Sequence, residues 1–233
     1  MKKLIALALV VVMVLGCISL VACNGGDGGG VTVPPAGGTT TPAGGETTTP
    51  PPDETTTPPE ETLEDILGYG AGITAVQYEM VITAPGVPEM TTNVWIEQDK
   101  MRTEMTEGEE TVIMIADFGE QVLYMYMPDY GMAYEMAFTA PTESALEAAQ
   151  SIPDYEYTIL RTETLNGMEC LVVEYASPEG TAQMWIWKDY GFPIKTVVTT
   201  PQGTITSEFR DIQFGDIEDE MFELPAGVTI ISL

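Results

Sequence analysis

From Ile73 onward, apolar and polar residues alternate in short runs, and each run ends in glycine, proline or acidic residues. Ile73–Thr83 shows the pattern: Val76, Tyr78, Met80 and Ile82 fall on one face of an extended chain, because strand side chains alternate with a period of two. Ala84–Pro88 reads as the following turn. The alternation continues through 89–98, 101–106, 111–116, 121–127 and 132–138, with Glu107–Glu110 and Pro128–Gly131 as turns. It resumes at 155–165, 168–176, 181–188, 192–200 and 204–214, where Asn166-Gly167 is a tight hairpin signal. The reading is a long antiparallel meander of about ten strands.

Two segments break the alternation. Thr62-Leu63-Glu64-Asp65 resembles a capping box, so a short helix is predicted over about 62–70, ended by Gly68, Gly70 and Gly72. Residues 142–152 are rich in alanine, preceded by Pro141 and stopped by Pro153, which predicts a second helix. A meander this long must curl to cover its apolar face, and a helix inside the curl would fill it. The expected fold is therefore mainly β: a curled antiparallel sheet, a half-open barrel, with about two short helices packed on its concave side.

The first 22 residues follow a different pattern. Lys2 and Lys3 precede an apolar run over 4–15, and Leu20-Val21-Ala22 leads directly into Cys23. This pattern resembles a prokaryotic lipoprotein signal, in which Cys23 takes a diacylglyceryl group on its thiol and becomes the first residue after cleavage. A spanning helix needs about 20 apolar residues. Residues 4–22 nearly reach that, so an uncleaved anchor is the competing reading, but no basic stop-transfer flank follows. Residues 23–61 are threonine, proline, glycine and acid, with an octad that begins at Thr39, Thr47 and Thr55. Such a composition buries too little surface to offset chain entropy, so a disordered stalk with a reach of up to about 120 Å is expected. The organisation is thus a signal peptide over 1–22, a stalk over 23–61 bearing lipidated Cys23, and one β domain over 62–233.

Charge narrows the partners. The chain holds 8 basic and 36 acidic residues and no histidine, for a net charge of −28. Loss of Lys2 and Lys3 makes the mature chain more negative still. No basic footprint for nucleic acid exists, and surface docking on anionic lipid is disfavoured. Once Cys17 is removed and Cys23 is lipidated, Cys170 has no disulfide partner. It lies in a strand-like run and reads as a buried small hydrophobe.

At this point the residues carry a resemblance. Trp185-Ile-Trp-Lys-Asp-Tyr-Gly-Phe-Pro-Ile-Lys195 is similar to the aromatic strand, turn and Gly-x-Pro motif of the LolA-like lipoprotein-carrier superfamily. Phe209–Pro225 resembles its C-terminal strand leading to Phe-x-x-Pro, and Trp95–Arg102 resembles its early hairpin. The resemblance covers about 63–233. It implies a half-barrel wrapped around helices and either a carrier of acylated molecules or an envelope sensor. A lipid-anchored member on a long stalk departs from the soluble shuttles of that superfamily.

Candidate chemistry follows from the methionines, 12 of whose 14 lie beyond residue 79. Methionine adapts to varied apolar partners. The candidate lining of a lipid-accepting face is Met80, Trp95, Met125, Met127, Met184 and Trp185. Their inward or outward orientation is open, because Val122–Met127 is apolar on both faces. An ordinary core is the competing explanation for each of these residues. Asp216, Glu218, Asp219, Glu220 and Glu223 lack calcium-loop spacing and read as a solvated acidic turn. Without histidine, a nucleophile elbow, a P-loop or zinc spacing, no catalysis, metal or cofactor is expected. The expected function is a monomeric, lipid-anchored extracytoplasmic protein that binds a hydrophobic ligand or a lipoprotein acyl chain. The alternative is an envelope sensor or protein-interaction module of the same fold.

Overall fold

The computed structural model describes residues 61–138, 144–177 and 180–233. The signal peptide, Cys23 and the stalk lie outside the described residues. Among those described, no helix is long and apolar enough to cross a membrane.

Helix α1 (Leu63–Gly70) starts where the sequence predicts. Thr62 accepts from the Asp65 amide, and the Asp65 carboxylate accepts from the Thr62 amide, so both ends of the capping box are closed. Helix α2 (Ala145–Gln150) is shorter than expected. Its cap is Ser144, paired reciprocally with Glu147. The Ser-Ala-Leu-Glu capping box, and not the preceding proline, sets where this helix begins.

The strands are β1 (Ala75–Thr83), β2 (Met90–Glu97), β3 (Lys100–Glu107), β4 (Glu110–Asp117), β5 (Val122–Met127) and β6 (Met132–Ala137) in the first half. The second half holds β7 (Tyr157–Leu165), β8 (Met168–Ser177), β9 (Gly180–Trp187), β10 (Phe192–Thr200), β11 (Gly203–Phe214) and β12 (Thr229–Ser232). They form one curled, unclosed sheet in the order β12-β6-β5-β4-β3-β2-β1-β11-β10-β9-β8-β7. The sheet is not the single meander expected from the sequence. Two meanders, β1–β6 and β7–β11, are joined through antiparallel β1 and β11, with Met80 opposite Phe209. The connection from β6 to β7 carries α2 and a 3-10 turn at Ile152–Asp154, so β7 lies at the far edge of the sheet rather than beside β6. Strand β12 is additional to the predicted set. It pairs in parallel with β6, Thr229 opposite Met132.

The core resolves the ambiguity of the doubly apolar strands. In β4, Val112 and Met114 join a large cluster with Val76, Tyr78, Met80, Ile82 and Phe192. Their neighbours Ile113 and Ile115 join a second cluster with Tyr126, Ala133 and Phe222. Alternation puts these two sets on opposite faces, and each face has its own cover. The cover of the second is the C-terminal segment, where Ile217, Met221, Leu224 and Val228 pack. Arg102, itself over the Trp95 ring at 5.7 Å, donates to the Met221 carbonyl at 3.1 Å and pins that segment. The acidic stretch is thus a 3-10 turn (Asp219–Phe222) with an apolar underside, and its acids remain solvated. A third cluster docks the helices: Leu63, Ile66 and Leu67 of α1 and Ala149 of α2 pack with Leu171, Val173, Met184 and Ile186 of β8 and β9.

Candidate functional site

A partly open cavity of about 680 Å³ lies between α2, the end of α1 and the β1–β5 part of the sheet. Its apolar wall is built from strand ends and junctions. Ile73 and Val76 enter from β1 and its approach, Ile96 from β2 and Met101 from β3. Phe118 and Phe138 follow β4 and β6, with ring centroids 5.6 Å apart. Backbone bonds hold both junctions: the Phe118 amide donates to the Asp99 carbonyl at 2.8 Å, and the Phe138 amide to the Gln121 carbonyl at 3.0 Å. Ala145 and Leu146 of α2 close the helical side, and Phe192 of β10 adds a buried ring.

Helix placement depends on glycine. Gly191, with φ 60°, ends the β9–β10 turn. A Cβ there would lie 2.2 Å from the Ile66 carbonyl oxygen and 2.9 Å from the Gly70 nitrogen. A Cβ on Gly70 would in turn meet Leu146 at 2.7 Å. The absent side chains let α1 sit directly on the turn and α2 directly on α1, and that stacking positions Gly70, Ala71 and Leu146 at the cavity.

The polar groups divide into two sets. Gln98, Asp99, Glu147 and Gln150 are exposed at the mouth. Among the described residues, no lysine or arginine lines the cavity. Glu147 already accepts from the Ser144 amide at 2.7 Å. Tyr78 is different: it lines the cavity, is 4% exposed, and packs on Phe192 and Phe209 with centroids 5.9 and 5.1 Å away. Among the described residues its hydroxyl meets no hydrogen-bond partner. Burial pushes its phenol well above the ordinary tyrosine range.

The six residues singled out from sequence are dispersed. Met80, Met125 and Trp185 belong to the cluster that backs the cavity through Val76, Tyr78 and Phe192. Met184 lies in the helix-docking cluster, Trp95 packs in the cluster under the C-terminal segment, and Met127 is buried at the end of β5. None of the six is among the lining residues, and Met101 is the one methionine among the described residues that is. Val76 and Tyr78 come from the alternating face of β1, but much of the remaining wall comes from positions where strands end. Those positions carry no alternation signal, and only the paired phenylalanines 118 and 138 beside turns would have suggested them.

Trp185 instead anchors a polar network. Its indole N–H donates to Glu163, while Arg161 and Lys195 lie over its ring at 5.8 and 5.1 Å. Arg161, the indole N–H and Lys195 hold the Glu163 carboxyl below its usual range. Cys170 is fully buried, as expected, and burial pushes its thiol up to about 11.

The profile of a family described as a domain of unknown function (DUF4412) matches residues 77–191, just under half of the chain. No curated protein matches by sequence. Among solved structures, a conserved uncharacterised protein from Thermus thermophilus is similar, at 10% identity, with 73% of this chain and 98% of that one covered and a TM-score of 0.54. MucB is similar at 13% identity with a TM-score of 0.50, over 72% of this chain and 64% of its own length. A LolA superfamily protein from Nitrosomonas europaea is matched at 13% identity over 71% of this chain and 99% of that one, with a TM-score of 0.32. At these identities the likeness concerns fold alone. The curled, unclosed sheet with two short helices is the half-open barrel architecture expected from the alternation of the sequence.

Proposed function

We propose that this protein is a non-catalytic, lipid-anchored envelope protein that binds the apolar chain of an amphiphile in the cavity beneath α2. The observation that carries this reading is the cavity itself. At about 680 Å³ it falls within the range of small-molecule sites, and an aliphatic and aromatic wall meets polar groups that include Gln98, Asp99, Glu147 and Gln150 at the mouth. Burying an acyl chain there gains about 0.8 kcal/mol per methylene. The core residues Met80, Met125 and Trp185 serve as backing to the wall. Cys23 holds the domain outside the cytoplasm, and the stalk sets its distance from the membrane. The half-barrel is compatible with both carriers and interaction modules, and the cavity favours the former.

Solvent extraction and mass spectrometry of protein purified from its own envelope test the reading. An acyl-chain lipid in near-stoichiometric amount is expected. No lipid, together with no binding of an apolar fluorescent probe, turns the account to a protein-interaction module. Cys23→Ser is expected to release the chain from the membrane fraction. Retention there would point to the uncleaved apolar segment as the anchor.

A further inference from the structure

Among the described residues, the lining holds one buried, unpartnered hydrogen-bond donor and two mouth carboxylates, with no cation. From this juxtaposition we infer that the cavity selects amphiphiles with an uncharged carbonyl head, an acyl ester or amide, over ionised fatty acids, and that Tyr78 donates to that carbonyl. The inference rests on the ligand-binding reading above.

A ligand chain that displaces water from the cavity leaves the Tyr78 hydroxyl in need of an acceptor, because a phenol without a partner is costly there. Tyr78 offers a donor because burial keeps its hydroxyl protonated across the whole physiological range. A carboxylate ligand could also accept from it, but its charge would share the cavity with Asp99 and Glu147. Both are exposed, so their repulsion is partly screened, and two such charges within a Debye length still amount to about tenfold in affinity. The net charge of −28 adds a field of the same sign. Among the described residues, no Lys or Arg lines the cavity to offset it. The wall accepts the chain of either ligand equally, so discrimination falls on the head.

Titration calorimetry of residues 24–233, with 1-monolauroylglycerol, ionised laurate and dodecyltrimethylammonium as probes below their micelle concentrations, tests this. Monolauroylglycerol is expected to bind about tenfold more tightly than laurate at low salt, and the gap should narrow in high salt. Asp99→Asn with Glu147→Gln, which keeps a capping residue at the start of α2, should bring laurate close to the ester. Tyr78→Phe should weaken monolauroylglycerol about fivefold, leave dodecyltrimethylammonium unchanged, and not lower the melting temperature. Equal or tighter binding of laurate, or an unchanged ester affinity in Tyr78→Phe, overturns the selectivity while the ligand-binding reading stands. If none of the three probes binds, the ligand-binding reading itself fails.

Discussion

Gly191→Ala and Gly131→Ala make a matched pair. Both glycines end turns between antiparallel strands with nearly the same backbone, φ 60° and 59°. Alanine in the left-handed region costs about 1–2 kcal/mol at either site. Their surroundings differ. A Cβ at 131 meets nothing within 4 Å, whereas at 191 it lies 2.2 Å from the Ile66 carbonyl oxygen. That neighbour is backbone and cannot rotate away, so α1 must retreat by about 1 Å, a gap that forfeits a quarter to a half of the packing attraction. The affected residues are Leu63, Ile66 and Leu67, exposed by 0, 1 and 5%. Full burial of each is worth about 1.5–3 kcal/mol, so the retreat costs about 2 kcal/mol beyond the shared strain. Gly131→Ala should therefore lose about 1–2 kcal/mol and Gly191→Ala about 3–4. For a domain of this size the difference corresponds to about 4–8 °C in melting temperature. Urea melts supply the free energies, and probe titration adds a second reading, because Gly70 and Ala71 line the cavity. Gly191→Ala should weaken probe binding and Gly131→Ala should not. Equal losses of stability in the two variants would refute the close approach of α1 as the reason for glycine at 191.

Thr92 offers the opposite sign: it is 1% exposed, its hydroxyl has no partner among the described residues, and it sits across from Met80 and Met105. Thr92→Val should stabilise by about 1 kcal/mol, and a lower melting temperature would contradict that. Glu163 has a depressed carboxyl pKa in the fold, so its contribution is present above the unfolded value near 4.5 and is lost as pH falls through the folded value. Glu163→Gln should therefore flatten the acid limb of a stability-against-pH curve, and an unchanged limb would count against the Arg161–Glu163–Trp185 network. Cys170 should react with a thiol reagent only as fast as the protein unfolds; rapid labelling of folded protein would show it is accessible.

Strand identity was legible because alternation is local. Val76, Tyr78, Met80 and Ile82 read as one buried face and are one buried face. Asn166-Gly167, with φ of 52° and 83°, is the turn its dipeptide announces. Strand order was less legible, since the pairing of β1 with β11 joins residues far apart in sequence, and no residue near β6 declares that β7 lies at the opposite edge. Strand β12 escapes a sequence reading because its four exposed residues, Thr229–Ser232, carry no alternation of burial. The candidate site was the least legible part. Met125 and Trp185 have the composition of a binding face, yet they belong to the core cluster, while junction residues such as Phe118 and Phe138 acquire their role only when Leu146 of α2 closes the other side of the cavity.

The most direct test of the account is where an acyl chain rests. A photoreactive diazirine-bearing monoacylglycerol, crosslinked to residues 24–233 and mapped by peptide mass spectrometry, reports that position. The account predicts labels on the peptides that carry Ile96, Met101, Leu146 and Phe192. Labels confined to the exposed edge strand β7, where Ile159 and Leu160 face solvent, or to the C-terminal segment over Ile113 and Ile115, would contradict it.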